Sequence, residues 1–132
     1  MLLVKTKIGP SMISGIGLFA DQFVPKGAPV WKFMPGFDLK VPKESVAALS
    51  DVARAQFLNY AYLSEQTPGS YVLCFDDARF FNHADEANTL LTYPAGEDQE
   101  GINIAVRDIL PGEELTDDYR SFDGDFQAKM SR

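Results

Sequence analysis

Apolar residues along this chain come in short bursts that alternate with polar ones and stop at glycine or proline. In the first burst Leu2, Val4, Thr6 and Ile8 share one face, a period of two that predicts a strand over Leu2 to Ile8. Leu18 to Phe23 and Ala28 to Met34 flank a Pro25-Lys26-Gly27 turn, which predicts two strands joined through a corner. Tyr71 to Phe75 is apolar and ends at Asp76-Asp77, the form of a buried strand. Ile102, Ile104 and Val106 alternate with Asn103, Ala105 and Arg107, predicting a half-buried strand. Helical spacing occurs in one stretch, beginning near Pro42 and continuing from Ser50. There Ser50 is the expected N-cap and Ala53, Phe57, Tyr60 and Ala61 follow at helical intervals. The pattern is that of a strand-rich protein with one helical insert near its middle.

Two segments echo each other: FADQFVPKGAPV and AVRDILPGEEL both run strand, proline–glycine turn, strand. No longer period supports a repeat architecture, so the reuse of proline and glycine in turns is the expected cause. The length of 132 residues suits one domain with one core. No apolar run nears the roughly 20 residues that cross a bilayer, and MLLVKTKIGPS lacks the layout of a secretory signal. A single cysteine, Cys74, excludes an internal disulfide and fits a reducing, cytoplasmic setting. One cysteine and one histidine also exclude a zinc cage built from thiolates and imidazoles, so no metal is expected. The net charge of −7 repels phosphate backbones and is compatible with a cationic partner such as a lysine-rich peptide. It also serves solubility, so charge alone identifies no substrate.

Several patterns carry candidate chemistry. Gly15-Ile16-Gly17 lets backbone approach a ligand, but it lacks the third glycine and the following helix of a dinucleotide fingerprint. Cys74 lies in an apolar burst nine residues from His83, which favours a structural thiol over a nucleophile. The acidic pairs Asp76-Asp77, Asp85-Glu86 and Asp117-Asp118 match no calcium loop and read as solvated turns. Asn82 and His83, behind Arg79-Phe80-Phe81, present donors and acceptors suited to a polar ligand. Taken alone, that dipeptide is also an ordinary turn.

In order, the chain carries G-I-G-L-F-A, then R-F-F-N-H-A-D-E-A-N, then A-V-R-D-I-L-P-G-E-E-L-T-D-D-Y. This ordered set resembles the SET-domain protein-lysine methyltransferases, in particular their small stand-alone bacterial or viral forms. The resemblance spans about residues 3–122, with 37–69 as the variable insert and 123–132 as a tail, all within a single domain. It implies a mainly β fold of short curved sheets, with one helical insert and a C-terminal segment threaded under the Asn-His loop. It also implies that backbone at Ile16 and Gly17, with Asn82 and His83, binds S-adenosylmethionine. Tyr119 would be the catalytic tyrosine, and Tyr71, Asp117 and Phe122 would line a channel for the substrate lysine. The implied activity is methyl transfer to lysine in a basic protein or peptide, with no direct nucleic-acid or membrane binding. A homodimer remains open.

The chain departs from the family pattern at three places. The usual Asn-His-Ser-Cys-x-Pro-Asn is here Asn82-His83-Ala84-Asp85-Glu86-Ala87-Asn88. The C-terminal cysteines of a zinc-bearing lid are absent, which leaves closure to Phe122, Phe126 or a partner chain. Asp117 stands where the family carries Phe or Tyr facing the lysine, and a carboxylate is expected to be ionised near neutral pH. These departures define a second reading: a cofactor- or protein-binding module that keeps the fold without turnover.

Overall fold

A computed structural model of the chain describes residues 1–130. Strands β1 (Thr6–Pro10) and β2 (Ile16–Ala20) form an antiparallel hairpin that sets Gly9 opposite Gly17. Gly15 closes the hairpin loop with φ of +49°, a left-handed backbone that glycine adopts without strain. Next come β3 (Pro29–Lys32) and β4 (Leu39–Pro42), then helices α1 (Lys43–Ala47) and α2 (Asp51–Tyr60). Strands β5 (Tyr62–Leu63) and β6 (Ser70–Leu73) pair with each other, and β6 also pairs with β4. A 3₁₀ turn at Asp77–Phe80 leads into β7 (Asn82–His83), followed by β8 (Thr89–Thr92) and β9 (Ile102–Ala105). Strand β9 runs between β3 and β8. Finally β10 (Thr116–Asp117) lies parallel to β7, and a 3₁₀ turn at Tyr119–Ser121 precedes α3 (Phe126–Met130). The described strands make four sheets of two or three strands, none closed into a barrel.

The parallel pairing of β10 with β7 brings the third sequence motif against the second. Two residue pairs are too few to hold such a crossing, and Asn88 supplies the rest. Its side-chain NH₂ donates to the Glu114 carbonyl at 2.8 Å, and its Oδ1 accepts from the Thr116 amide at 2.9 Å. Thr89 Oγ1 donates to the Thr116 carbonyl at 2.7 Å. Asn88 and Thr89 are both buried, where an unmade hydrogen bond costs about 1–3 kcal/mol.

The principal core contains Leu18, Ala20, Val24, Val30, Ala105, Ile109 and Leu115. Each large aliphatic buried there contributes about 1.5–3 kcal/mol. This core is also where the two echoing segments meet. The Val24 and Ile109 amides each donate to the other's carbonyl, at 2.9 and 2.8 Å, and Phe19 bridges Glu114. The echo is therefore a pair of β-corners joined edge to edge by backbone bridges, where turn chemistry alone had been the expected cause. A second cluster, including Trp31, Cys74, Leu91 and Phe122, underlies the site, and a third holds Val46, Ala61 and Tyr71 against the insert.

Three further expectations change. Regular pairing of the first strand starts at Thr6, and Ile8 is 45% exposed, because the residues before Thr6 reach β3 through a single bridge from Leu2 to Trp31. The helical insert is two helices broken at Ala48–Ser50, with Ser50 Oγ accepting from the Ala53 amide to start the second. Helix α3 carries too few apolar positions to announce itself in the sequence.

Candidate active site

The hairpin loop, β7 and the approach to β10 converge on one polar cluster. Asn82 Nδ2 lies 2.9 Å from Glu114 Oε2, 3.1 Å from Ser11 Oγ, and 3.1 Å from the Ser14 carbonyl. The Ile16 carbonyl is a further acceptor at 3.4 Å. Ser11 Oγ is within 2.9 Å of both Glu114 carboxylate oxygens. Gly17 is required at this point, since a Cβ there would stand 2.6 Å from Glu114 Oε2 and 3.0 Å from Ser11 Cβ. Among the described residues no lysine or arginine pairs with Glu114, although Glu113 beside it is paired with Arg107. The cluster thus holds a half-buried negative charge on neutral donors alone.

His83 joins this cluster to the next element. Its Nδ1 accepts the Tyr119 backbone N–H at 3.1 Å, so the proton sits on Nε2, which faces Asp85 Oδ1 at 3.1 Å. The ring is thereby fixed in place and in tautomer. Asp85 and Asp118 flank it, and Arg120 ties those two acids together.

Beyond His83 a cavity of about 60 Å³ opens, lined by Trp31, Tyr62, Asn103, Asp117, Tyr119 and Phe122 among others. The Tyr119 hydroxyl donates to the Phe81 carbonyl. Burial pushes this phenol above its usual range, with the Asp117 and Asp123 carboxylates adding to the effect. Tyr119 is therefore a neutral hydroxyl whose proton is committed and whose lone pairs remain to accept. Cys74 also lines the cavity, and burial raises its thiol well above the ordinary value. It is a packing group, not a nucleophile.

Asp117 is 4% exposed. Asn103 Nδ2 donates to its Oδ2 at 2.6 Å and the Asp118 amide to its Oδ1 at 2.9 Å. Burial outweighs both bonds and raises its pKa to about 7. The expectation of a fully ionised carboxylate near neutrality is therefore corrected: Asp117 is divided between its two forms there. Four polar atoms of lining residues are buried with no hydrogen-bond partner, and of these Asp123 Oδ2 is met by the Lys129 ammonium group at 2.6 Å while Trp31 Nε1, Tyr62 OH and Asn103 Oδ1 are not paired. Such groups are few in folded proteins, and these three belong to residues around one cavity.

Ile16, Gly17, Asn82 and His83 thus fall on the polar side, and Asp117, Tyr119 and Phe122 on the cavity side. Phe122 packs edge-on to Tyr62 and Tyr119, while the Phe126 ring sits 5.1 Å from His83. Tyr71 is not with them. Its ring stacks edge-on to Phe57 of α2 and borders a separate groove with Lys43 and Arg54. The cavity tyrosines from this part of the chain are Tyr60, at the end of α2, and Tyr62, on the strand beside Tyr71. Ser11, Glu114 and Asn103 were not singled out in the sequence. Asn103 had a readable signal, a polar residue centred in an Ile-Asn-Ile-Ala strand, since a buried amide needs a partner.

The SET domain family model matches residues 15–120. No curated protein sequence matches the chain. Among solved structures, the fold is similar to the Neurospora SET-domain protein DIM-5, a histone lysine methyltransferase, at 21% identity and TM-score 0.62, over 89% of this chain and 53% of that one. It is similar to Polycomb Repressive Complex 2 of Chaetomium thermophilum bound to S-adenosylmethionine, at 20% identity and TM-score 0.66, over 97% and 16%. A Plasmodium falciparum protein provisionally described as a histone methyltransferase aligns at 17% identity and TM-score 0.60, over 89% and 95%. At these identities the likeness speaks to fold.

Proposed function

Since the chain belongs to the SET-domain family, we propose that it transfers a methyl group from S-adenosylmethionine to a lysine side chain of a protein. The observation that carries this reading is the cavity's composition. A protonated tyrosine hydroxyl, anchored on the Phe81 carbonyl, lines a small cavity whose wall residues carry three unpaired polar atoms, and the Tyr119 backbone ties that cavity to His83.

The polar cluster fits the cofactor on charge. S-adenosylmethionine carries an ammonium and a sulfonium, and Glu114 holds a negative charge that no lysine or arginine among the described residues balances. Ile16 and Gly17 would bring backbone close to the ligand, and the missing Cβ at Gly17 leaves the room that Glu114 and Ser11 occupy. Asn82 and His83 would fix polar groups of the ligand. When bound, the cofactor supplies an electrophilic methyl group on sulfur.

This chain's own residues do the remaining work. The acceptor amine must be neutral, and holding lysine neutral at pH 8 costs about 3 kcal/mol against its ordinary pKa of about 10.4. The apolar walls from Trp31, Leu91 and Phe122 exclude water and so disfavour the ammonium. The free lone pairs of Tyr119 can orient the amine. Asp117 opposes this when ionised, because a carboxylate favours the ammonium, and its raised pKa weakens that opposition near neutrality. The net charge of −7 supports a basic, lysine-rich substrate.

Incubation with labelled S-adenosylmethionine and a panel of basic proteins tests the reading. Label should enter lysine with the wild type and fall sharply with Tyr119→Phe. No transfer to any basic protein would favour the binding-module reading.

A further inference from the structure

The cavity already contains a lysine side chain, and it belongs to this protein. Lys129 of α3 lines the cavity. Its Nζ stands 2.6 Å from Asp123 Oδ2, donates to the Ala61 carbonyl at 2.7 Å, and lies 5.4 Å above the centre of the Tyr119 ring. Its side chain is only 14% exposed, and that of Asp123 is fully buried.

Asp123 is shaped for this contact. One carboxylate oxygen accepts from the Leu63 and Asp125 amides, at 3.1 and 2.9 Å, and its other oxygen faces the cation alone. A buried carboxylate left without a counter-charge is strongly unfavourable. The position therefore demands a cation. A carboxylate, a carbonyl and an aromatic face together suit a primary ammonium on a slim alkyl stem. The same three groups engage the Lys129 Nζ, so it occupies the position an incoming ammonium would need. Its release would move only a short element, since α3 is five residues long, and an incoming cation would take over the charge on Asp123.

Resting on the methyltransferase reading, we propose that Asp123, the Ala61 carbonyl and the Tyr119 ring form the capture site for a substrate lysine's ammonium, and that Lys129 is its internal occupant. The chain carries its own competitor. An incoming lysine must displace Lys129 before its amine can lose a proton and react. Asp123 is thereby a specificity-determining residue, distinct in role from Tyr119.

A binding measurement without cofactor or turnover separates this inference from the catalytic one. Butylammonium serves as the probe, titrated against the full chain by calorimetry and by amide shifts around Asp123. Lys129→Met keeps the apolar stem and removes the charge, so it should bind the probe at least tenfold more tightly than wild type. Lys129→Arg keeps a cation in place and guards the fold, so its affinity should stay at or below wild type. Adding Asp123→Asn to Lys129→Met should abolish the gain. Equal affinity in wild type and Lys129→Met, or a gain that survives Asp123→Asn, overturns the assignment. A tenfold gain in a protein that transfers no methyl group would uphold the capture site and reject the catalytic reading.

Discussion

The polar cluster at Asn82 and the cavity at Tyr119 adjoin at His83, yet they are built in opposite ways. In the cluster, donors and acceptors crowd each other: four acceptors surround one side-chain nitrogen of Asn82. What the cluster lacks is a positive charge beside Glu114. In the cavity Asp123 has its cation in Lys129, while three buried polar atoms go unpaired. One half is thus complete in hydrogen bonds and short of a cation, and the other is the reverse. A cationic cofactor and a hydrogen-bonding guest are complementary solutions to those two deficits.

The largest test of this contrast is Tyr119→Phe. It should leave cofactor affinity unchanged and lower kcat by about 10²–10³, the usual cost of removing one positioned transition-state contact. An equal fall in cofactor affinity would show that the two halves are not separable. On the other side, Asn82→Ala should weaken S-adenosylmethionine binding by about 1–3 kcal/mol, read by calorimetry. Once cofactor is saturating, kcat should be close to that of the wild type.

Asp117 sharpens the comparison through pH. Its carboxyl titrates near 4 when unfolded and at about 7 when folded. The folded state therefore holds the proton more tightly. The stability this contributes is fully present below about pH 4 and is lost as pH rises through about 7. The displacement corresponds to about 4 kcal/mol. An amide accepts only one of the two hydrogen bonds the carboxylate takes, which offsets roughly half of that. Asp117→Asn should then be more stable than wild type by about 1–2 kcal/mol at pH 8, with the advantage vanishing near pH 4. Urea unfolding at the two pH values checks it. The same variant should lower the pH optimum of turnover, because no carboxylate remains to stabilise the ammonium. The smallest effect belongs to Tyr71→Phe, which should change the KM for a lysine peptide less than about twofold, while Tyr62→Phe should change it more. The reverse order would place Tyr71 in the channel after all.

Much of this was legible in the sequence where chemistry is local. Alternation located the strands, Ser50 marked a helix start, and the ordered motifs placed Asn82, His83 and Tyr119 within one reach. What stayed hidden is set by pairing over distance. Strand β9 shows it best. Its isoleucines were the apolar members of an alternating run, yet Asn103 and Ala105 are the buried ones, at 2% and 1% exposed. A central strand is covered on both faces, and Asn103 turns inward because Asp117 receives it. Tyr71 was expected at the lysine channel, yet Tyr62 lines the cavity and Tyr71 does not, for a similar reason. Both lie in short strands of one sheet, and long-range contacts, Phe57 of α2 on the Tyr71 ring and Asp125 on its hydroxyl, hold Tyr71 away from the cavity. Glu114 and Ser11 gave no sign, since their partnership spans 103 residues.

The parallel crossing of β10 over β7 has a consequence for the order in which the molecule acquires activity. His83 and Tyr119 are 36 residues apart, and a parallel contact of that span forms only after the intervening chain has been gathered. The hairpin of β1 and β2 needs no such delay. During refolding, then, amides of the hairpin should gain protection from solvent exchange before those of Thr116 and Tyr119. In the native state the crossing should open before the principal core, since its strand pairing is only two residues long and the rest of its hold is side-chain bonds from Asn88, Thr89, His83 and Tyr119. A ligand bridging both halves would close that opening, so exchange at the Tyr119 amide can serve as a gauge of occupancy.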